Sequence, residues 1–431
     1  MTTRAVPLAL LALCAGRLAA QPLGGDFRVN TATTGEQVSP AVAISGSASG
    51  GTFMVVWQEG YNPGTNTNIS ARTFDLATGA PMSTPFLVNS YTTGDQRAPR
   101  VGAALGGLLT SFVVVWHSKA QTGTYTIFGK RYDELGNPLG TEFRVDSLTT
   151  GSSYADVASD AAGNFCVVWR GEPASAIFAR RFSRFGIPLA ADFRVNETTA
   201  DFIAQPRVSA DGAGGFVVAW EAAIGFSPSV QSIAARRISP SGALSPEFRV
   251  NSDTTGPRAN PAVASAASGG FLVAWRDFPG APSQGILAQR YSTSGAALGS
   301  PFRVNAQLAG VAEPTAAGLP DGRCVVAWTS APAGPAQNVV VRQISPSGDV
   351  GPPETRVNTT PNSRDPQPAV AADGFGFVVT WQGDDGAQRG IFARRYRTAR
   401  VPGDVDGNGL VNVNDVFYLI NFLFAGGPAP V

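Results

Sequence analysis

Seven short apolar runs, each closed by tryptophan, recur along the chain. Phe216-Val217-Val218-Ala219-Trp220 is representative, and Trp57, Trp116, Trp169, Trp275, Trp328 and Trp381 end the others. Both alternating sets of positions in such a run are apolar, the pattern of a strand covered on both faces. We call it strand b. A proline-introduced strand a precedes it, as in Pro40-Ala41-Val42-Ala43 and Pro261-Ala262-Val263-Ala264, and a glycine-rich turn such as Asp211-Gly212-Ala213-Gly214-Gly215 joins the two. After b come a loop of variable length and a strand c, as in Ile127-Phe128-Gly129-Lys130-Arg131-Tyr132 and Ile391-Phe392-Ala393-Arg394-Arg395-Tyr396. A turn built on glycine and often proline then leads to strand d, Phe-Arg-Val-Asn in its fullest form.

Strand d starts at Phe27, Phe86, Phe143, Phe193, Phe248, Phe302 and, in degenerate form, Thr355, so successive starts lie 59, 57, 50, 55, 54 and 53 residues apart. Periods of this length mark arrays of one supersecondary unit rather than independent domains. Four antiparallel strands in each of seven units predict an all-β fold, a seven-bladed β-propeller. The strand count also predicts how the ring closes. The first d strand, at Phe27, precedes every a strand, and the seventh unit supplies a, b and c but ends at Tyr396 without a d strand of its own. The N-terminal strand is therefore expected to complete the last blade and remove two open sheet edges.

Composition agrees with many short strands and tight turns: the 431 residues include 50 glycines and 32 prolines. A formal net charge of +1 supplies no global field for nucleic acid or an anionic membrane, and neither partner is expected. At the N-terminus Arg4, the apolar run 6–15 and Leu18-Ala19-Ala20 read as an export signal cut before Gln21. The run is too short for a permanent membrane span. The expected organisation is a signal peptide at 1–20, the propeller at 21–400 and a C-terminal segment at 401–431, in a secreted, extracellular or cell-surface bacterial protein. Cys166 and Cys324 stand three repeats apart and are expected in the core, unbridged.

Candidate chemistry lies in the loops, where variation on a regular scaffold tends to carry function. The residue after each tryptophan is polar: Gln58, His117, Arg170, Glu221, Arg276, Thr329 and Gln382 form a candidate ligand face for a sugar or peptide. The bland alternative is that they mark where a strand gives way to its loop. His117 is the single histidine, which excludes a His-rich zinc site and is expected to be structural or solvated. Glu59, Glu172, Glu221, Asp277, Asp384 and Asp385 stand on the same loops as carboxylates for glycoside hydrolysis, but no spacing selects a pair and no catalytic residue is assigned. The basic doublets of strand c recur with acids just before strand d (Asp26, Glu142, Asp192, Glu247), and cross-strand ion pairs are expected.

The strongest chemical motif is Asp404-Val405-Asp406-Gly407-Asn408-Gly409-Leu410-Val411-Asn412-Val413-Asn414-Asp415. It matches the twelve-residue EF-hand loop, with Asp404, Asp406, Asn408, the Leu410 carbonyl, Asn412 and Asp415 as oxygen ligands and Gly409 at the sharp turn. Calcium suits this hard donor set. A helix from Val416 to Phe424 follows, apolar nearly all round, so it needs either the propeller or a partner to cover it.

The segment from Gly403 to about Phe424 resembles half of a type I dockerin, a calcium-binding module that plugs into cohesin domains of polysaccharide-degrading complexes. A dockerin has two such units and this sequence has one. The resemblance implies a cohesin-like or other extracellular protein partner, with Val413, Asn414, Phe417, Ile420 and Phe424 at the contact. Residues 26 to 396 resemble propeller repeats of secreted bacterial proteins. Together these readings point to an exported binding or scaffold propeller with a calcium-binding tail, attached to an extracellular polysaccharide-degrading assembly. The alternative is an extracellular carbohydrate-active enzyme, a glycosidase or polysaccharide lyase.

Overall fold

In the computed structural model of the chain, each tryptophan run is the second strand of an antiparallel sheet, four-stranded in six blades and five-stranded in the seventh. The structure describes residues 20–398 and 413–425, apart from 48–49, 61–65, 105–110, 120–122, 148–150, 173–175, 200–201, 224–230, 253–255, 267–268, 279–283, 307–309, 332–335, 352, 363–364 and 375. Blade 1 comprises Gln37–Ser47, Gly50–Glu59, Asn68–Asp75 and Phe86–Leu87, in the order a-b-c-d from the channel outwards. Blades 2 to 6 repeat it from the inner strands Gln96–Ala103, Ser152–Ser159, Phe202–Ala210, Arg258–Ser265 and Val311–Gly318. Residues 1–19 of the expected export signal and the residues of the expected calcium loop before Val413 lie outside the described residues.

Seven buried apolar clusters hold the ring, one between each pair of neighbouring blades. Strand b feeds two of them: Val217 and Ala219 face blade 5, while Phe216, Val218 and Trp220 face blade 3. This is why the run lacks a polar face. All seven tryptophans are at most 2% exposed, and Trp116, Trp169 and Trp381 stack on the phenylalanine paired with them across strands b and c. Cys166 and Cys324 are free and buried, and burial pushes both thiols up to about 12.

The Phe-Arg-Val-Asn strand follows from its surroundings position by position. Its phenylalanine pairs with a small residue of strand c (Ala393, Ala71, Gly129, Ala179, Ala235 or Ala288); a Cβ on Gly129 would come 2.8 Å from the Phe143 ring. In blade 6 Thr355 replaces phenylalanine and the facing residue grows to Val341, so volume is conserved across the pair. The valine is buried. The asparagine carboxamide then accepts a main-chain N–H near the start of strand c, as in Ile69 N to Asn89 Oδ1 at 2.7 Å and Ile391 N to Asn30 Oδ1 at 2.8 Å.

The basic doublets act between blades. The first residue donates to the valine carbonyl of the preceding d strand: Arg72 to Val29 O, Lys130 to Val88 O, Arg180 to Val145 O, Arg236 to Val195 O, Arg342 to Val304 O and Arg394 to Val357 O. The second donates to the turn between strands c and d of the next blade, as Arg131 to Phe185 O, Arg181 to Pro240 O and Arg395 to Ala77 O. Among the described residues these bonds take the place expected of cross-strand ion pairs, while Arg236 also pairs with Glu197 of the preceding blade. Acids before strand d accept N–H groups from the preceding blade, as Ser90 N to Glu142 at 2.8 Å and Thr359 N to Asp26 at 2.9 Å. A carbonyl tied into a ladder still has a free lone pair, and a guanidinium satisfies it without a second charge having to be buried.

Blade 7 has Ala369–Ala372, Gly376–Asp384 and Arg389–Arg397, and the N-terminal Phe27–Arg28 supplies its outer strand, with Phe27 opposite Ala393 and Arg28 opposite Phe392. Closure extends further than the repeat predicts. Gln21–Pro22 pairs with the far end of the same strand, Pro22 opposite Tyr396, in the place that Pro138 takes opposite Tyr132 in blade 2. The N-terminus thus replaces a whole hairpin arm. Deleting residues 21–30 is expected to remove about 3–6 kcal/mol from Val29 burial and the Asn30 cap alone, and to lower the denaturation midpoint accordingly; an unchanged midpoint would contradict closure by this strand.

Candidate functional site at the channel mouth

Every inner strand carries the same irregularity. One residue per blade has a left-handed backbone, Ser39, Ala98, Tyr154, Gln205, Asn260, Glu313 and Gln367, with φ between 43° and 54°. Six of the seven stand immediately before proline. In six blades the register shifts there, as between Val38 and Ala41 or Ala312 and Thr315. A bulge leaves an N–H outside the ladder and re-aims the side chain, here into the central channel.

The residues after tryptophan answer that exposed N–H. Gln58 Oε1 accepts Ala98 N at 3.3 Å, Glu221 Oε1 accepts Asn260 N at 2.6 Å and Gln382 Oε1 accepts Ser39 N at 2.9 Å, each from the next blade. In blade 3 alanine stands where the others have proline, and Ala155 N donates to His117 Nε2 at 3.0 Å. Burial first, and then the Arg100 charge, hold that imidazole down at about 3, so it stays a neutral acceptor. Four of the seven candidate ligand-face residues therefore join neighbouring blades. Arg170 pairs with Glu172 at 2.7 Å.

Arg276 and Thr329, like Arg170, break the rule. A guanidinium has no acceptor for a bulge N–H, and among the described residues Thr329 Oγ1 has no hydrogen-bond partner. Both line a cleft of about 380 Å³ with Asn260, Glu313, Gln337 and Asp365, on the face where strands b leave for their loops. Asn260 and Glu313 also line the central channel, of about 420 Å³, so the two spaces meet. The cleft opens where the regular inter-blade contact is given up.

Glu313 and Asp365 stand as neighbouring carboxyl groups in this cleft. Burial and the Asp365 charge push Glu313 up to about 8, against smaller opposing effects of Arg207 and Arg276. The bulge side chains continue the network: Asn260 Nδ2 donates to Gln205 at 3.0 Å, Gln367 Nε2 to Asp365 at 3.4 Å and Ser39 Oγ to Gln367 at 3.4 Å. The six loop carboxylates singled out by position are engaged elsewhere. Glu59 accepts Ser70 Oγ at 2.6 Å, Asp277 pairs with the buried Arg258 at 2.9 Å, Asp384 caps Gly386 N at 3.3 Å and Asp385 pairs with Arg28 at 2.7 Å, while Glu172 and Glu221 are accounted for above. The pair that does meet, Glu313 and Asp365, lies outside the tryptophan loops. Its signal in the sequence is the residue before proline, polar in five of six repeats once strand a is aligned on it.

The expected calcium ligands Asp404, Asp406, Asn408, Leu410 and Asn412 fall outside the described residues, and Asp415 is placed only as part of the helix Val413–Ala425. Val413 and Asn414 open that helix, and Phe417, Ile420 and Phe424 are 62%, 47% and 83% exposed on it. No described helix is long and apolar enough to cross a membrane.

No protein-family model and no curated protein matches the chain. Among solved structures it is similar to a protein of unknown function from Dyadobacter fermentans, at 12% identity over 88% of this chain and 99% of that one, with a TM-score of 0.55. A fungal alcohol oxidase in complex with copper aligns at 11% identity over 92% and 79%, with a TM-score of 0.53. A Penicillium chrysogenum α-L-arabinanase complexed with arabinobiose aligns at 14% identity over 69% and 92%, with a TM-score of 0.47. The likeness is one of fold.

The linkage at Glu313 has a definite sign. Its folded form holds a proton up to about 8 while the unfolded side chain releases it near 4.5, so stability falls as pH rises through that window. Wild type is expected to lose melting temperature relative to Glu313→Gln between those values, with a constant difference outside them; parallel profiles would show that Glu313 does not hold its proton above its ordinary range.

Proposed function

We propose that this chain is an exported binding protein whose propeller holds a polyhydroxylated ligand, a polysaccharide segment, across blades 5 to 7. The observation that carries this reading is the cleft at the channel mouth, lined by Asn260, Arg276, Glu313, Thr329, Gln337 and Asp365. Amide, hydroxyl, carboxyl and guanidinium groups alternate donors and acceptors at short range, which matches sugar hydroxyls far better than an apolar ligand. The C-terminal calcium loop and helix serve as an attachment device for an extracellular protein partner of cohesin-like type.

The exposed apolar helix supports that second role. Val416, Phe417, Leu419, Ile420, Phe422, Leu423 and Phe424 are all exposed, a surface that soluble proteins seldom leave uncovered. Calcium binding to the loop would fix the start of this helix and so present that surface. A specific observation also favours the enzyme reading. The Glu313–Asp365 pair sets two carboxyl groups side by side, with Glu313 pushed up to about 8 by burial and its neighbour, and a pair of carboxyl groups is what acid–base cleavage of a glycan requires.

Two measurements test these roles. Affinity electrophoresis in a panel of polysaccharides should show retardation of the full chain that Arg276→Ala weakens about tenfold; Glu313→Gln, its retardation measured alongside, abolishes release of reducing ends or unsaturated products from the glycan it still binds only if the pair is catalytic. No retardation by any glycan ends the binding reading. Calorimetry with calcium should show one site, lost in Asp404→Ala, and no heat with the unaltered chain would remove the metal from the account.

A further inference from the structure

The ring position two residues beyond each bulge is occupied very unequally. Blades 2, 3 and 4 place Arg100, Asp156 and Arg207 there, while the remaining four blades place alanine or threonine. The charged groups therefore stand on one wall of the channel, and the small residues opposite leave the space between them open, in a cavity of about 420 Å³. A sugar ring fits such a volume.

Neither guanidinium is neutralised by direct contact. Arg100 Nη1 and Arg207 Nη1 donate only to the proline carbonyl preceding each on its own strand, at 2.9 and 3.0 Å. Among the described residues no carboxylate lies within ion-pair distance of either. The acids nearby are held otherwise: Asp156 Oδ2 accepts Val208 N at 2.9 Å, Glu221 Oε1 accepts Asn260 N, and burial with the Asp365 charge favours the protonated form of Glu313. His117, the remaining titratable group facing Arg100, is a neutral acceptor for Ala155 N. Two arginine forks thus face the same lumen with donors to spare; the Arg207 charge opposes that of Arg100 more strongly than either Asp156, set between them on the ring, or Glu313 offsets it, and a further anion in the lumen would relieve that opposition.

We propose that the channel between Arg100 and Arg207 receives an anionic substituent, carboxylate or sulfate, carried on a sugar unit, so that the polysaccharide bound at the mouth is an acidic one. This rests on the binding role proposed above and adds its ligand class. The neutral hydroxyls of the chain would lie in the cleft over blades 5 to 7, and the acidic group would enter past Asn260 and Glu313, which line both spaces.

The test is calorimetric titration of the full chain with three oligosaccharides of matched length: oligogalacturonate, a sulfated galactan fragment and a neutral cello-oligosaccharide. At least one acidic ligand should bind ten times or more tighter than the neutral one. Arg207→Gln should lower that affinity at least tenfold while leaving the neutral ligand unchanged, and Arg207→Lys should recover part of it. Arg100→Gln is the second variant, and equal melting temperatures certify that each variant is folded. Which acidic ligand prevails identifies the anion as carboxylate or sulfate. Acidic and neutral ligands binding alike, or an acidic ligand unaffected by both glutamine variants, would overturn the proposal; neutral binding in that result would leave the wider reading standing, whereas absence of all binding would overturn both.

Discussion

Every blade of this ring must give its neighbours polar groups to bind at the place where two sheets pack face to face. The carbonyl of the valine in strand d is the clearest instance. It already belongs to an edge strand whose ladder is only two residues long in most blades, and the first basic residue of the next strand c caps it in six of them. Blade 5 is informative because Gln289 stands where the others have Arg or Lys, and its amide turns to Gly299 O in its own blade at 3.1 Å. There strand d extends to Ala297–Arg303, the longest outer strand of the ring. The carbonyl left without this donor is that of Val250 in blade 4, whose strand d keeps only Phe248–Arg249, so the longer ladder lies in the blade that lacks the donor and not in the one that loses the bond.

The same requirement explains the residues after tryptophan. A bulge exposes an N–H that is costly to bury unpaired, by about 1–3 kcal/mol, and Gln58, Glu221 and Gln382 accept it from the adjoining blade. His117 meets the variant demand at Ala155. Contacts of this kind are distributed round the ring and favour a regular scaffold. Where they stop, at Arg276 and Thr329, side chains become available to the cleft. Regularity and site formation are thus alternatives at a single ring position, decided by whether its side chain can accept a hydrogen bond.

The architecture was readable because its cause is local and repeated. A run apolar on both faces, a small residue opposite phenylalanine and an asparagine cap each leave a mark at a fixed place in every unit. Ring closure was readable from the missing eighth fragment, though Gln21–Pro22 was not, since two residues without a repeat partner leave no pattern. The site was far less legible. Polarity after tryptophan looked like ligand chemistry at seven positions, yet at four of them it satisfies a neighbour's backbone. The doublets looked like partners for acids because charge suggests charge, whereas carbonyls buried at the blade interfaces were the nearer need.

What remained hidden was the left-handed residue of each inner strand. Sequence alone shows a residue before proline, where extended backbone is the ordinary expectation. The observed φ of about 50° is strained for Glu, Gln, Ser or Tyr, and such strain persists only where the surroundings over-determine it. Here proline, the ladder on either side and the inter-blade acceptor together fix it. The consequence is that seven side chains are turned inward at one level of the channel, and their identities vary while the backbone does not. A ring built in this way can change its ligand by single substitutions at Asn260, Glu313 or Gln367 without disturbing the phenylalanine and valine that hold it closed.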